Sequence, residues 1–158
     1  MNKILRYHDE SVVLSPEQIK KAYKQLQKEF KDWFKNYQTP QILMPKHCIA
    51  LKYSEELTKD AQYIVDNIHR HGTLEGCQPN TIVGVALYIL NAKIQTMRQY
   101  SMYRKSEMEI AEAVNKSTQA IKEKYDRIKD LELYYIPKNW LSEREKHMLE
   151  EESRMRQE

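Results

Sequence analysis

The sequence predicts an all-α protein built as a bundle around one buried helix. Three observations carry that reading. Breakers are scarce, with Gly 3 and Pro 5 in 158 residues, while the good helix formers Lys, Glu, Gln, Leu and Ala are frequent. No stretch alternates apolar and polar residues with the period of two that a half-buried strand needs. Finally, Asn80 to Ile94, NTIVGVALYILNAKI, has almost no polar face yet is too short for a bilayer. A helix of that kind sits at the centre of a bundle, covered by others.

Length and charge narrow the class. The chain is long enough for one ordinary domain with a real core, or one domain plus a fragment. Mean hydropathy is -0.82, and no apolar run approaches the roughly 20 residues of a membrane span, so no membrane partner is expected. The start, MNKILRYHDESVV, lacks the apolar region of a signal peptide, which predicts an intracellular protein. Cys48 and Cys77 have no metal spacing and read as reduced thiols of a cytosolic or nuclear protein. A net charge of +3 and a pI of about 8.7 are compatible with nucleic acid without demanding it. The charge is uneven. Residues 1–40 carry eight Lys or Arg against five acids, and 93–129 carry nine against five.

Along the chain, Val12 to Leu14 lack periodicity and are expected to pack on something. Ser15-Pro16-Glu17-Gln18 opens a helix, with Ser as cap, Pro in the first turn and an acid at the positive end. Ile19, Tyr23, Leu26, Phe30, Trp33, Phe34 and Tyr37 form its apolar face. Lys20, Lys24, Lys28, Lys31 and Lys35 form a stripe beside it. That stripe is either a solvated margin of a buried face or a surface for phosphates or an acidic partner. A linker lies between Thr39-Pro40 and Met44-Pro45. The next helix is expected from Pro45 to about Glu56, with Ile49, Ala50, Tyr53 and Leu57 inward. Thr58 is expected to cap another, burying Ala61, Ile64, Val65 and Ile68 and ending at His69-Arg70-His71-Gly72. Asn80 or Thr81 caps the central helix, where Gly84 and Ala86 let neighbours approach closely. A polar segment, 95–105, follows. Tyr134 to Pro137 reads as an extended exit, and 138–158 as a charged helix or tail.

Residues 106–131 are the most informative. Ser106 and Glu109 make a capping box, which satisfies two orphan amides reciprocally. Ile110, Ala111 and Val114 form one apolar face. Asn115 tolerates the left-handed conformation that ends a helix, and Ser117 can cap the next. That helix buries Ile121, Tyr125, Ile128 and Leu131. Ala111 permits a close crossing and Ile121 fills the wedge, the pattern of a helix-turn-helix. Its outward residues are Thr118, Gln119, Lys122, and then Glu123 or Asp126. On this stretch alone, a structural helical hairpin and a DNA-reading unit both remain open.

Other chemistry finds little support. His69 and His71 are two apart on a helix and point away from each other, so no metal site is expected. There is no Gly-rich phosphate loop and no nucleophile motif, and paired acids such as Glu55-Glu56 read as solvated surface. No enzyme activity, cofactor or small-molecule substrate is expected.

The chain also repeats itself. Ser15, Ile19, Lys20, Tyr23 and Leu26 recur, at identical offsets, as Ser117, Ile121, Lys122, Tyr125 and Ile128. A period of about 100 residues implies one whole helical unit preceded by the last helix of another. This arrangement resembles the core of general transcription factor IIB and its archaeal counterpart, two cyclin-like five-helix repeats. The likeness covers roughly 41–137 as the second repeat. GCQPNTIVGVALYIL looks like the family's Gly-Arg-x-Pro-x-Ser/Thr followed by an Ala-rich helix ending in Tyr-Leu. EIAEAVNKSTQAIKEKYDRI looks like its helix-turn-helix. Residues 1–40 would then hold the last helix of a first repeat plus a linker.

The resemblance implies a transcription initiation factor of the nucleus. Its partners would be promoter DNA beside a TATA element, the TATA-binding protein and the RNA polymerase II machinery. The family's two base-reading positions fall on Gln119 and Lys122, where it often has an aliphatic residue and Arg. Lys lacks the rigid fork that holds guanine O6 and N7, whereas Gln can read adenine through N6 and N7. Lys116, Lys122, Lys124, Arg98, Arg104 and Lys105 are the phosphate candidates, with Thr118 beside them. The lysine stripe 20–35 is the candidate partner surface. Cys77 replaces the family's loop Arg. The family's zinc ribbon and reader loop have no match, so the sequence is expected to be a fragment. A cyclin-like protein-binding module without DNA contact is the alternative function.

Overall fold

The computed structural model describes residues 15–30 and 38–157. They fall into two units, one within 1–38 and one within 39–158. Among the described residues every regular element is helical.

The first unit contributes α1, Pro16–Glu29. The Ser15 hydroxyl accepts from the Gln18 amide at 3.3 Å, and the Gln18 side chain accepts from the Ser15 amide at 2.9 Å, a complete capping box. The expected burial of its apolar face is not found for Ile19, Tyr23 and Leu26, all of which are exposed. Lys20, Lys24 and Lys28 are exposed as well. Val12 to Leu14, Lys31, Trp33, Phe34, Lys35 and Tyr37 lie outside the described residues.

The second unit places α2 (Pro40–Ala50), α3 (Glu55–His71), α5 (Glu107–Val114) and α6 (Thr118–Asp126) against α4 (Pro79–Thr96). Thr81 to Leu87, Ile89 to Asn91 and Ile94 of α4 are all buried, so the helix that the sequence marked as apolar all round is the axis of the bundle. Leu57, Ala61, Ile64, Val65 and Ile68 of α3 line one side of it, as the spacing predicts.

Several helix starts differ from expectation, each for a local reason. The second helix begins at Pro40, not Pro45, because the Thr39 hydroxyl caps the Ile42 amide at 3.3 Å and Pro40 takes the first position. Pro45 is carried inside the helix on its exposed side. The inward residues are therefore Leu43, Met44, His47 and Cys48, and Ile49 and Ala50 face solvent. The chain turns at Lys52, φ 56°, and Tyr53 and Leu57 enter the core from beyond that turn. Ser54, not Thr58, caps α3, and the Thr58 hydroxyl instead donates back to the Ser54 carbonyl at 2.8 Å. Gln78 stands before Pro79 at the start of α4. Asn80 is thereby freed, and its Oδ1 meets His47 Nε2 at 3.1 Å, tying α2 to α4.

The C-terminal segment belongs to the bundle. Of the expected extended exit, Tyr134 and Tyr135 instead end a short helix, α7 (Glu132–Tyr135), and the chain is extended at Ile136 and Pro137, with Tyr135 and Ile136 buried. Trp140 follows, buried, stacked on Tyr100 at 4.7 Å and donating its indole N–H to Asp60 at 2.9 Å. The charged helix α8, Glu143–Gln157, starts from a Ser142–Glu145 capping pair. Lys93 of α4 meets Glu145 at 2.5 Å. Trp140 and this ion pair fasten the start of α8 to the core, and further along Leu149 packs on the core and the Tyr134 hydroxyl donates to Glu152.

Candidate nucleic-acid interface

The helical pair α5–α6 is set by three local signals. Ser106 and Glu109 exchange hydrogen bonds at 3.1 and 2.7 Å to start α5. Asn115 ends it in the left-handed conformation, φ 55°, ψ 46°. The Ser117 hydroxyl then accepts from the Ala120 amide at 3.1 Å and starts α6. All three agree with the sequence reading.

Packing then fixes which way α6 faces. Ile110, Ala111, Val114 and Ile121 are buried. Gly84 of α4 is the socket: a Cβ there would lie 3.0 Å from Ile121 Cδ1 and 3.1 Å from Val114 Cγ2. A methyl group at 84 would require Ile121 and Val114 to give by a few tenths of an ångström. α6 itself stops at Asp126 and leads into a tight turn, Lys129–Leu131. Ile128 is buried, while Tyr125 and Leu131 are only half-buried.

With Ile121 inward, Gln119 and Lys122 are exposed, and Thr118, Lys116 and Lys124 are half-buried around them. The Gln119 amide donates to Glu123 at 3.2 Å, and the Lys116 ammonium donates to the Gln78 side chain. Lys122 Nζ lies 2.8 Å from Glu107 Oε2, with the two side chains 49% and 46% exposed. Hydrogen bonding to Glu107 and the charge of its carboxylate raise the Lys122 pKa. Burial and the Glu107 charge raise that of Tyr88, whose hydroxyl points to Glu107 at 3.5 Å. The outward surface of α6 is therefore of mixed sign, with Glu107, Glu123 and Asp126 among its lysines.

Arg98, Arg104 and Lys105 lie on the segment between α4 and α5. Arg98 and Arg104 flank the 3₁₀ segment Arg98–Tyr103, which packs on α4. Tyr53 meets Tyr103 edge-on at 6.4 Å, and Tyr100 stacks on Trp140. The Asn91 side chain donates to the Lys105 carbonyl at 2.8 Å and accepts from its amide at 3.1 Å. Lys105 also lines a cleft with Ala50, Lys52, Glu109 and Glu112. The Lys105 cleft faces the α2–α3 corner, and Lys116, Thr118, Gln119, Lys122 and Lys124 lie along the start of α6.

The residue that sequence reasoning missed is Glu107. It occupies the first position of α5, where an acid is ordinary dipole complementation. Its meeting with Lys122, fifteen positions on, depends on the crossing of the two helices. Among the described residues, no group of three His, Cys, Asp or Glu is placed to hold a metal ion. None of the described helices is long and apolar enough to cross a membrane.

An all-α repeat of five helices, four of them packed around an apolar fifth, is a cyclin-like fold. The family description Transcription factor TFIIB repeat matches residues 34–131, more than half of the chain and the whole of α2 to α6. The chain belongs to this family, one of non-enzymatic transcription factors. A search of curated proteins gave no match.

Proposed function

We propose that the chain acts in the nucleus as the DNA-binding core repeat of a transcription initiation factor. It contacts promoter DNA beside the TATA element, together with the TATA-binding protein, and helps recruit RNA polymerase II. The observation that carries this reading is the outward stance of α6: Ile121 is buried against Gly84, and Gln119 and Lys122 are left on the open side. In a helix-turn-helix the second helix lies in the major groove with its first residues on base edges. Gln119 supplies an adenine reader, and Lys116, Lys122 and Lys124 supply phosphate contacts. Arg98, Arg104 and Lys105, on the segment between α4 and α5, supply further phosphate contacts, and Lys20, Lys24, Lys28, Lys31 and Lys35 serve an acidic partner.

The test is a salt titration on promoter duplex with the TATA-binding protein present. Each phosphate neutralised contributes a slope of about -0.9 in log K against log salt. Replacing Lys116, Lys122 and Lys124 with Gln should weaken binding and flatten that slope by about two to three. A flat response in the unmodified protein refutes the reading.

One observation favours a second function, a protein-binding module without DNA contact. Ile42, Pro45 and Ile49 form an exposed apolar line along α2, on the side away from the core. The triple lysine replacement would leave that function intact.

A further inference from the structure

This inference rests on the DNA-binding reading and concerns how strongly α6 holds its target. Most lysines on a reading helix are free to meet phosphate. Here the central one has a partner already. Lys122 Nζ sits 2.8 Å from Glu107 Oε2, and the Tyr88 hydroxyl reaches the other carboxylate oxygen of Glu107 at 3.5 Å. Three helices meet at this point: α4 brings Tyr88, α5 brings Glu107 and α6 brings Lys122. Tyr88 is half-buried and its ring packs on Tyr125 at 4.8 Å, so the hydroxyl near the carboxylate is held by the aromatic pair. The carboxylate is fixed at its root too, because Glu107 is the first residue of a helix closed by the Ser106–Glu109 box.

We propose that Glu107 is a built-in brake on DNA contact by α6, and so a determinant of affinity for duplex DNA. It acts in two ways. It occupies the Lys122 ammonium, which a phosphate must win from it. It also sets a negative charge on the surface that approaches the phosphate backbone. Like charge brought face to face lowers association and selects against weakly matched surfaces. The pair is half-exposed, so its own contribution to folding is small and its cost falls on binding. The brake limits loose binding to any duplex, and a partner that neutralises Glu107 would release it.

The experiment is fluorescence anisotropy with a labelled promoter duplex and the full chain, at two salt concentrations. The proteins are wild type, Glu107→Gln, Lys122→Gln and the double variant. Glu107→Gln should tighten binding roughly three- to tenfold, because a phosphate no longer has to win the Lys122 ammonium from a carboxylate. The gain should shrink in the Lys122→Gln background, where no ammonium is left to release, although removal of the acid's own repulsion remains. Thermal melts followed by circular dichroism check that each variant folds. If wild type binds and Lys122→Gln weakens it, but Glu107→Gln binds no tighter, the brake is refuted and the DNA reading stands. If neither wild type nor Glu107→Gln binds the duplex, both fall.

Discussion

α1 and α6 are written with one pattern and end in opposite environments. Each opens on a capping serine and carries an isoleucine, a lysine, a tyrosine and a large aliphatic residue at the same offsets. In α1, Ile19, Tyr23 and Leu26 are 55%, 63% and 53% exposed. In α6, Ile121 is 2% exposed and Ile128, just beyond the helix, is 0%. The pattern makes a capped amphipathic helix in both places. What differs is the partner: α6 has Gly84, Val114 and the central helix to receive its isoleucine, and α1 shows no buried residue. Periodicity states that a face is apolar. It does not state what covers the face, and most helical stability comes from that cover.

The sharpest way to break the comparison is to truncate both isoleucines. Ile121→Ala removes a buried side chain and leaves a cavity, which should cost about 2 to 5 kcal/mol in urea unfolding. Ile19→Ala, at an exposed site, should stay within about 0.5 kcal/mol. Comparable losses at both positions would mean that α1 has a buried seat of its own. The socket can be filled instead of emptied. Gly84→Ala puts a methyl group 3.0 Å from Ile121, so overpacking of about 1 to 3 kcal/mol opposes the gain of about 1 kcal/mol from replacing a helical glycine, and a small net loss is expected. Ile121→Val in that background should recover part of the loss, since the two changes share one contact.

Caps give a smaller effect. Ser117→Ala should lower the stability of the 39–158 unit by about 1 kcal/mol. The matching Ser15→Ala should show mainly as lost helical circular dichroism. The smallest effect concerns a third helix that opens in the same style, α8. Burial alone would raise the Glu145 carboxyl, but hydrogen bonds from Lys93 and Ser142 bring it below its ordinary value. A depressed acid stabilises the fold above its unfolded pKa, near 4.5, and that support is lost as pH falls through the folded value. Unfolding measured between pH 6 and 3 should therefore fall more steeply for wild type than for Glu145→Gln. Equal slopes would show that the Lys93–Glu145 pair does not couple α8 to the core.

Much of the second unit was legible in the chain. The capping box at Ser106, the left-handed Asn115, the cap at Ser117 and the apolar axis 80–94 are local signals, and each takes effect where the residues stand. Helix starts beside proline were less legible. Thr39-Pro40 and Met44-Pro45 both offer proline near a helix start, and only the Thr39 hydroxyl distinguishes them. Trp140 and Leu141 read as the edge of a charged tail because the residues that receive Trp140, Asp60 and Tyr100, are far away in sequence.

The reading surface divides along the same line. Gln119 and Lys122 follow from the period of a helix with Ile121 inward. The company they keep does not. Glu107 on Lys122 follows from how α5 and α6 cross. By itself the sequence determined that this is a helical bundle, where α1, α5 and α6 cap and which faces of α3, α4 and α5 seek cover, because caps and periodicity act over a single turn or a few. The tertiary structure alone decided that Gly84 receives Ile121 and that an acid stands against the central lysine. Those contacts join residues whose meeting costs chain entropy, which only the packed core offsets.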